Sequence, residues 1–238
     1  MKQLCERLGI RHLFKRMTHR SDGIFLKNAL WNIGARATKA PKLVFIDSDV
    51  AFSNAGWLEN ISRSLDEFEV VQPFSEIWWA EELANDGERR YFPAAFRTSF
   101  ARELKERGFA DAKRYVPGYA LAMVRWFFDQ IGGIDVLPSN GSDAWFWLRH
   151  LPPECVLKSD LGLPILGDAY GYDLTPGRTS YAGNVAFHVR HGQRGKRKYH
   201  ETLYFNQKFC DDVNDTLDWD CRSDELPVFK DEQLAKAH

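Results

Sequence analysis

The sequence predicts a single-domain α/β fold, and three observations carry that prediction. Segments with apolar residues at helical spacing alternate with short extended runs along the chain. One of those runs, Leu43 to Ile46, is continuously apolar, the pattern of a strand covered on both faces. At its carboxyl end stand Asp47, Ser48 and Asp49, and open α/β sheets bind their ligands just beyond strand ends of this kind. The expected architecture is a Rossmann-like mixed sheet flanked by helices.

In chain order, Ile10 to Phe14 reads as a short strand. Ser21 or Asp22 then caps a helix running to about Thr38, with Ile24, Ala29, Leu30, Ile33 and Ala37 at helical spacing. After the apolar strand, a second helix spans Asn54 to Glu67, and Val70 and Val71 begin another strand. Glu81 to Arg90 is charged and poor in apolar residues, so it reads as a surface excursion. Tyr119 to Val124 is a strand and Trp126 to Ile131 a short helix stopped by Gly132 and Gly133. An aromatic helix follows from Asp143 to His150, ended by Pro152 and Pro153. Leu161 to Gly177 reads as a loop, Asn184 to Val189 as a strand, and about Tyr199 to Cys210 as a helix after the basic run Arg190 to Lys198.

Composition narrows the function classes. Acidic and basic residues leave a formal net charge of -1, which removes the broad positive field that a nucleic-acid binder needs. No stretch approaches the roughly 20 continuous apolar residues of a membrane span, and Met1 to Arg20 mixes charges through its apolar positions. Neither an anchor nor a signal peptide is therefore expected. Cys5, Cys155, Cys210 and Cys221 are scattered and read as reduced thiols of a cytoplasmic protein. Eight tryptophans, several beside polar residues, suit stacking on flat faces such as sugars, although core packing explains most tryptophans in most proteins.

The chemistry-bearing residues fall in three clusters. Asp47 and Asp49, one residue apart at a strand end, can present oxygens to Mg²⁺ or Mn²⁺, or can merely cap a turn. His188 and His191 are three residues apart, a spacing that converges on one ion if the backbone bends there. Carboxylate with imidazole suits Mn²⁺ better than Mg²⁺. The basic run after them, with Arg194 and Lys196, offers a flap for a diphosphate or simply a solvated loop. Asp143, after a glycine turn and ahead of Trp145 and Trp147, is a candidate general base as well as a plausible N-cap.

Taken in order, these segments resemble the glycosyltransferases of the A-type fold, especially the β-1,4-galactosyltransferase-like branch. Phe25 to Gly34 is similar to the helix that borders the nucleotide, Val44 to Asp49 to the metal-binding aspartate loop, and Gly132 to Asp135 with Gly141 to Trp147 to the segment whose last aspartate is the family's catalytic base. His188 to Gly192 is similar to the segment that completes the metal site. The likeness covers roughly Phe25 to Tyr199. It implies an N-terminally shortened enzyme, with about one βα unit of the base-binding wall missing.

The resemblance implies a set of roles. Asp47, Asp49, His188 and His191 hold Mn²⁺, with Mg²⁺ as the alternative, and Asp143 is the base. Phe25, Lys27, Asn28, Asn32, Ser48, Gly118, Arg194 and Lys196 bind a nucleoside-diphosphate sugar, a UDP-sugar being favoured. Trp78, Trp79, Tyr119, Trp145 and Trp147 form the acceptor platform. The single domain then divides into a nucleotide and metal half at about 1–72, an acceptor and catalytic half at about 73–200, and a C-terminal helix and tail over 200–238. Its partners are the nucleotide-sugar donor and a carbohydrate acceptor, with a homo-oligomer allowed. One rival is a catalytically inert sugar-nucleotide or glycan binder. The other, a nucleotidyltransferase, should carry a glycine-rich basic loop near its N-terminus, which this sequence lacks.

Overall fold

The structure, a computed structural model, describes residues 2–7, 9, 11, 13, 27–85, 88–107, 115–134, 143, 146–147, 177–189, 217–218 and 228–229. Its helices are α1 (Lys2–Arg7), α2 (Lys27–Arg36), α3 (Trp57–Ser64), α4 (Phe100–Arg107) and α5 (Arg125–Gln130). Its strands are β1 (Lys42–Ile46), β2 (Val50–Phe52), β3 (Val70–Gln72), β4 (Glu76–Asn85), β5 (Glu88–Ser99), β6 (Tyr115–Val116), β7 (Ala120–Val124), β8 (Thr179–Tyr181), β9 (Val185–Val189), β10 (Leu217–Asp218) and β11 (Val228–Phe229). Asp143, Phe146 and Trp147 are also helical.

The α/β class is as expected, but the strands form two mixed sheets and a small β10–β11 pair in place of one Rossmann-like sheet. The first sheet runs β1-β7-β3-β8, with β7 antiparallel to both its neighbours and β3 parallel to β8. The second runs β2-β9-β4-β5-β6.

The apolar run at 42–46 forms a covered strand because each face meets its own core. Leu43 and Phe45 enter a large cluster with Val70, Met123, Phe127, Phe128, Phe146 and Trp147. Val44, on the opposite face, packs against Ile61, Leu65, Val71 and Ala122 under α3. A third cluster, Phe74, Ile77, Ala120 and Ala186, joins the two sheets. Adjacent Val70 and Val71 go to opposite clusters, as a pleated strand requires.

α2 ends where Arg125 donates to the carbonyls of Ala35 at 2.7 Å and Thr38 at 2.9 Å, a cation on orphaned carbonyls at the negative end of a helix. α5 ends as predicted at Gly132 and Gly133, with φ of 76° and 107°. Asn32 then pins the backbone just past those glycines. Its side-chain amide donates to the Ile134 carbonyl at 2.7 Å and its oxygen accepts the Ile134 N–H at 2.8 Å.

The structure adds two features to the sequence reading and shortens one helix. Within the expected surface excursion Glu81 to Arg90, residues 81–85 and 88–90 belong to the paired strands β4 and β5, whose register runs from Glu76 opposite Thr98 to Asn85 opposite Glu88. A hairpin ladder satisfies its own backbone groups, so its strands need no apolar alternation to form. β2 has no counterpart in the sequence pattern, because three residues give no readable period; it exists by pairing with β9. The helix expected over Asn54 to Glu67 is shorter, Trp57–Ser64. Arg11 and Leu13 are neither helix nor strand, and the remainder of the expected strand at 10–14 is outside the described residues, as are 21–26, the loop at 161–176 and the basic run and helix at 190–210. No helix among the described residues is long and apolar enough to cross a membrane.

Candidate functional site

β1 delivers Asp47 to the turn that links the two sheets. The Asp47 N–H donates to the Tyr119 carbonyl at 2.9 Å, one step beyond the β1–β7 ladder, and the Asp47 carbonyl accepts the Val50 N–H at 3.2 Å. Asp49 sits across that turn, and its carbonyl accepts the Val189 N–H at 2.9 Å. The same turn therefore touches β7 through Asp47 and β9 through Asp49. Ser48, between them, is exposed.

β9 supplies His188, which is 5% exposed and lies opposite Val50 on one side and Trp79 on the other. Its Nε2 is 3.0 Å from Asp49 Oδ2. The Tyr119 ring packs on the imidazole at 4.6 Å between centroids, and the Tyr119 hydroxyl accepts the Trp79 indole N–H at 3.1 Å. Tyr119 has φ of 76°, the one non-glycine among the described residues in the left-handed region, at a cost of about 1–2 kcal/mol.

Asp143 reaches the same turn through Lys27, which is 116 positions away in sequence. The Lys27 ammonium is 2.7 Å from Asp143 Oδ2 and 3.4 Å from Asp47 Oδ1, and it lies over the Trp31 ring at 4.7 Å. Lys27 and Trp31 are four apart on α2 and so share a face. Glycine at 118 allows this close approach: a Cβ there would stand 2.5 Å from Asp143 Oδ2, and the carboxylate would have to move. A small pocket opens beside Asp143, lined by Trp31, Pro117, Gly118, Leu121, Ile134 and Trp147 among others.

The electrostatics record an acidic site. Burial pushes the Asp47 carboxyl up to about 6; Lys27 opposes that rise, while Asp143 and Asp49 add to it. Burial works against the Lys27 ammonium, yet Asp143 and Asp47 outweigh it and raise its proton affinity. Asp47 Oδ1 is buried and accepts no hydrogen bond among the described residues.

Sequence-predicted residues divide accordingly. Asp47, Asp49, His188, Lys27, Gly118, Asp143, Tyr119 and Trp79 are linked by the contacts above. Asn28 and Asn32 are at most 1% exposed, and Asn32 commits its amide to Ile134, so it holds the chain in place where donor contact was expected. Trp147 packs mainly in the core: it is 1% exposed, stacks on Phe100 at 5.6 Å and donates its indole N–H to the Pro117 carbonyl, and it also lines the small pocket. Trp78 pairs with Phe96 and Phe187 in register, one residue out of phase with the face that carries Trp79 and His188. That alternation separates it from the site. Phe25, Trp145, His191, Arg194 and Lys196 lie outside the described residues. Trp31 joins the site as a residue the motifs do not mark, although its spacing from Lys27 is readable.

Among the described residues, no group of three or more His, Cys, Asp and Glu side chains is arranged to hold a metal ion. The donor set at the turn still fits one in chemistry. Asp49 and His188 offer oxygen and nitrogen side by side, and the buried Asp47 Oδ1, 3.4 Å from the Lys27 ammonium, has lone pairs that accept no hydrogen bond. Comparison of the chain with family models, curated proteins and solved structures returns no match.

Proposed function

We propose that the chain is a metal-dependent, inverting glycosyltransferase of the A-type fold that moves a sugar from a UDP-sugar to a hydroxyl of a carbohydrate acceptor. The observation that carries the reading is the Lys27 bridge, which joins the strand-end aspartate Asp47 to the candidate base Asp143 across 116 positions of sequence. A structural N-cap has no need of such a partner.

In this reading Asp49, His188 and His191 hold Mn²⁺, and Asp47 meets the ribose or the ion through water. When bound, the ion supplies a Lewis acid that neutralises charge growing on the leaving diphosphate. Lys27 directs its ammonium toward the donor phosphates. Gly118 leaves room for Asp143 to face the pocket, where its carboxylate takes the proton of the attacking hydroxyl. Tyr119 and Trp79, beside His188, border the acceptor side.

Incubation with Mn²⁺ and uridine, guanosine and cytidine diphosphate sugars, with saccharide acceptors, tests the proposal through release of the nucleoside diphosphate. Asp143→Asn should cut turnover by about 10²–10⁴-fold with donor affinity nearly unchanged. No turnover with any donor, together with no nucleotide binding, would overturn the reading. Binding without turnover would instead favour the inert binder.

A further inference from the structure

We infer that Tyr119 is the positioning residue that locks the two halves of this site together, holding the Asp47–Asp49 turn and the His188 ring in one geometry. The inference rests on the reading of Asp49 and His188 as metal ligands and adds to it a residue that touches no metal.

Three contacts converge on Tyr119. Its carbonyl accepts the Asp47 N–H at 2.9 Å, which ties down the end of β1. Its ring packs on the His188 imidazole at 4.6 Å and an angle of 45°, which limits how that ring can turn on β9. Its hydroxyl accepts the Trp79 indole N–H at 3.1 Å, which anchors the phenol to β4. β1 belongs to one sheet, while β4 and β9 belong to the other, so a single side chain and its backbone span the junction.

The backbone explains why the position is unusual. An extended residue before β7 would continue the pleat, sending its side chain along the alternation of the strand. With φ of 76°, Tyr119 keeps its carbonyl in the ladder and turns its ring toward the second sheet. A β-carbon is disfavoured in that conformation, and glycine would take it freely. A strained conformation persists where its surroundings over-determine it, and here the three contacts do so. Residues that orient metal ligands contribute about 10–100-fold to metal affinity.

The test uses the full chain and Mn²⁺ alone, titrated by the electron paramagnetic resonance of free Mn²⁺, with Tyr119→Gly, Tyr119→Phe and His188→Ala beside the wild type. Tyr119→Gly should still fold, because glycine accepts the backbone angle, yet bind Mn²⁺ about 10-fold or more weakly. Tyr119→Phe keeps the ring and should bind close to wild type. In the metal-free protein, the His188 ring protons should sit at the same shielded position in wild type and Tyr119→Phe and move in Tyr119→Gly. Unchanged Mn²⁺ affinity in Tyr119→Gly, while His188→Ala has lost it, overturns the positioning role and leaves the metal site standing. A wild type that takes up no Mn²⁺ removes the metal site, and the positioning role falls with it.

Discussion

Replacing Asp47 by asparagine should make the metal-free protein more stable at neutral pH, because the ionised carboxylate is a burden to the fold. Its carboxyl is raised from 3.8 to about 6, with burial the largest cause and Asp143 and Asp49 adding to it against Lys27. The sign follows from which state holds the proton. Between those two values the folded chain keeps a proton that the unfolded chain has lost, so stability falls as pH rises through the window. Above it both states are ionised and the full penalty stands. Linkage puts the cost at about 0.5 kcal/mol near pH 4 and about 3 kcal/mol at pH 7.5. Asparagine approximates the neutral carboxyl and removes the pH-dependent part. Urea denaturation of both proteins in EDTA, at pH 4 and pH 7.5, measures the difference. The variant should gain about 2–3 kcal/mol at the higher pH, and its advantage should shrink toward the lower one. A variant less stable than wild type at pH 7.5, or a difference independent of pH, would refute the reasoning.

Two further outcomes are expected. Asn32→Ala strands both the N–H and the carbonyl of Ile134 in a buried place and should lower stability by about 2–5 kcal/mol, measured by the same denaturation; a loss below about 0.5 kcal/mol would show that the turn re-forms its bonds elsewhere. Tyr115→Phe should raise stability by about 1 kcal/mol in a melting experiment, since the Tyr115 hydroxyl is buried without a hydrogen-bond partner among the described residues.

The features legible in the sequence are local ones. The β1 run and the acids after it, β7, and the glycine stop of α5 each carry their signal within a few neighbouring residues. The β4–β5 hairpin escapes a reading of polarity because its strands are held by pairing with each other and with β9, and pairing leaves no trace in local composition. The site divides along the same line. Asp47, Asp49 and His188 stand out by spacing and by their place at element ends. The meeting of Lys27 with Asp143 does not, since it joins residues 116 positions apart in sequence. Trp147 and Asn32 show the converse difficulty. A tryptophan beside an acid and an asparagine in a motif look the same in sequence whether they face a ligand or the core, and only burial separates them.

The charge balance of the turn bears on why a cation would be required there. Asp47 and Asp143 meet at the Lys27 ammonium, while Asp49, across the turn from Asp47, pairs with His188. A diphosphate approaching this turn brings more negative charge beside carboxylates that already add to the burial-driven rise in the proton affinity of Asp47. Lys27 already divides its single charge between Asp143, at 2.7 Å, and Asp47, at 3.4 Å, so a phosphate would have to share it with both. A divalent ion, if held by Asp49 and His188, would add positive charge there and lower the cost of ionising Asp47. Metal and nucleotide should therefore bind synergistically, each relieving the repulsion that opposes the other.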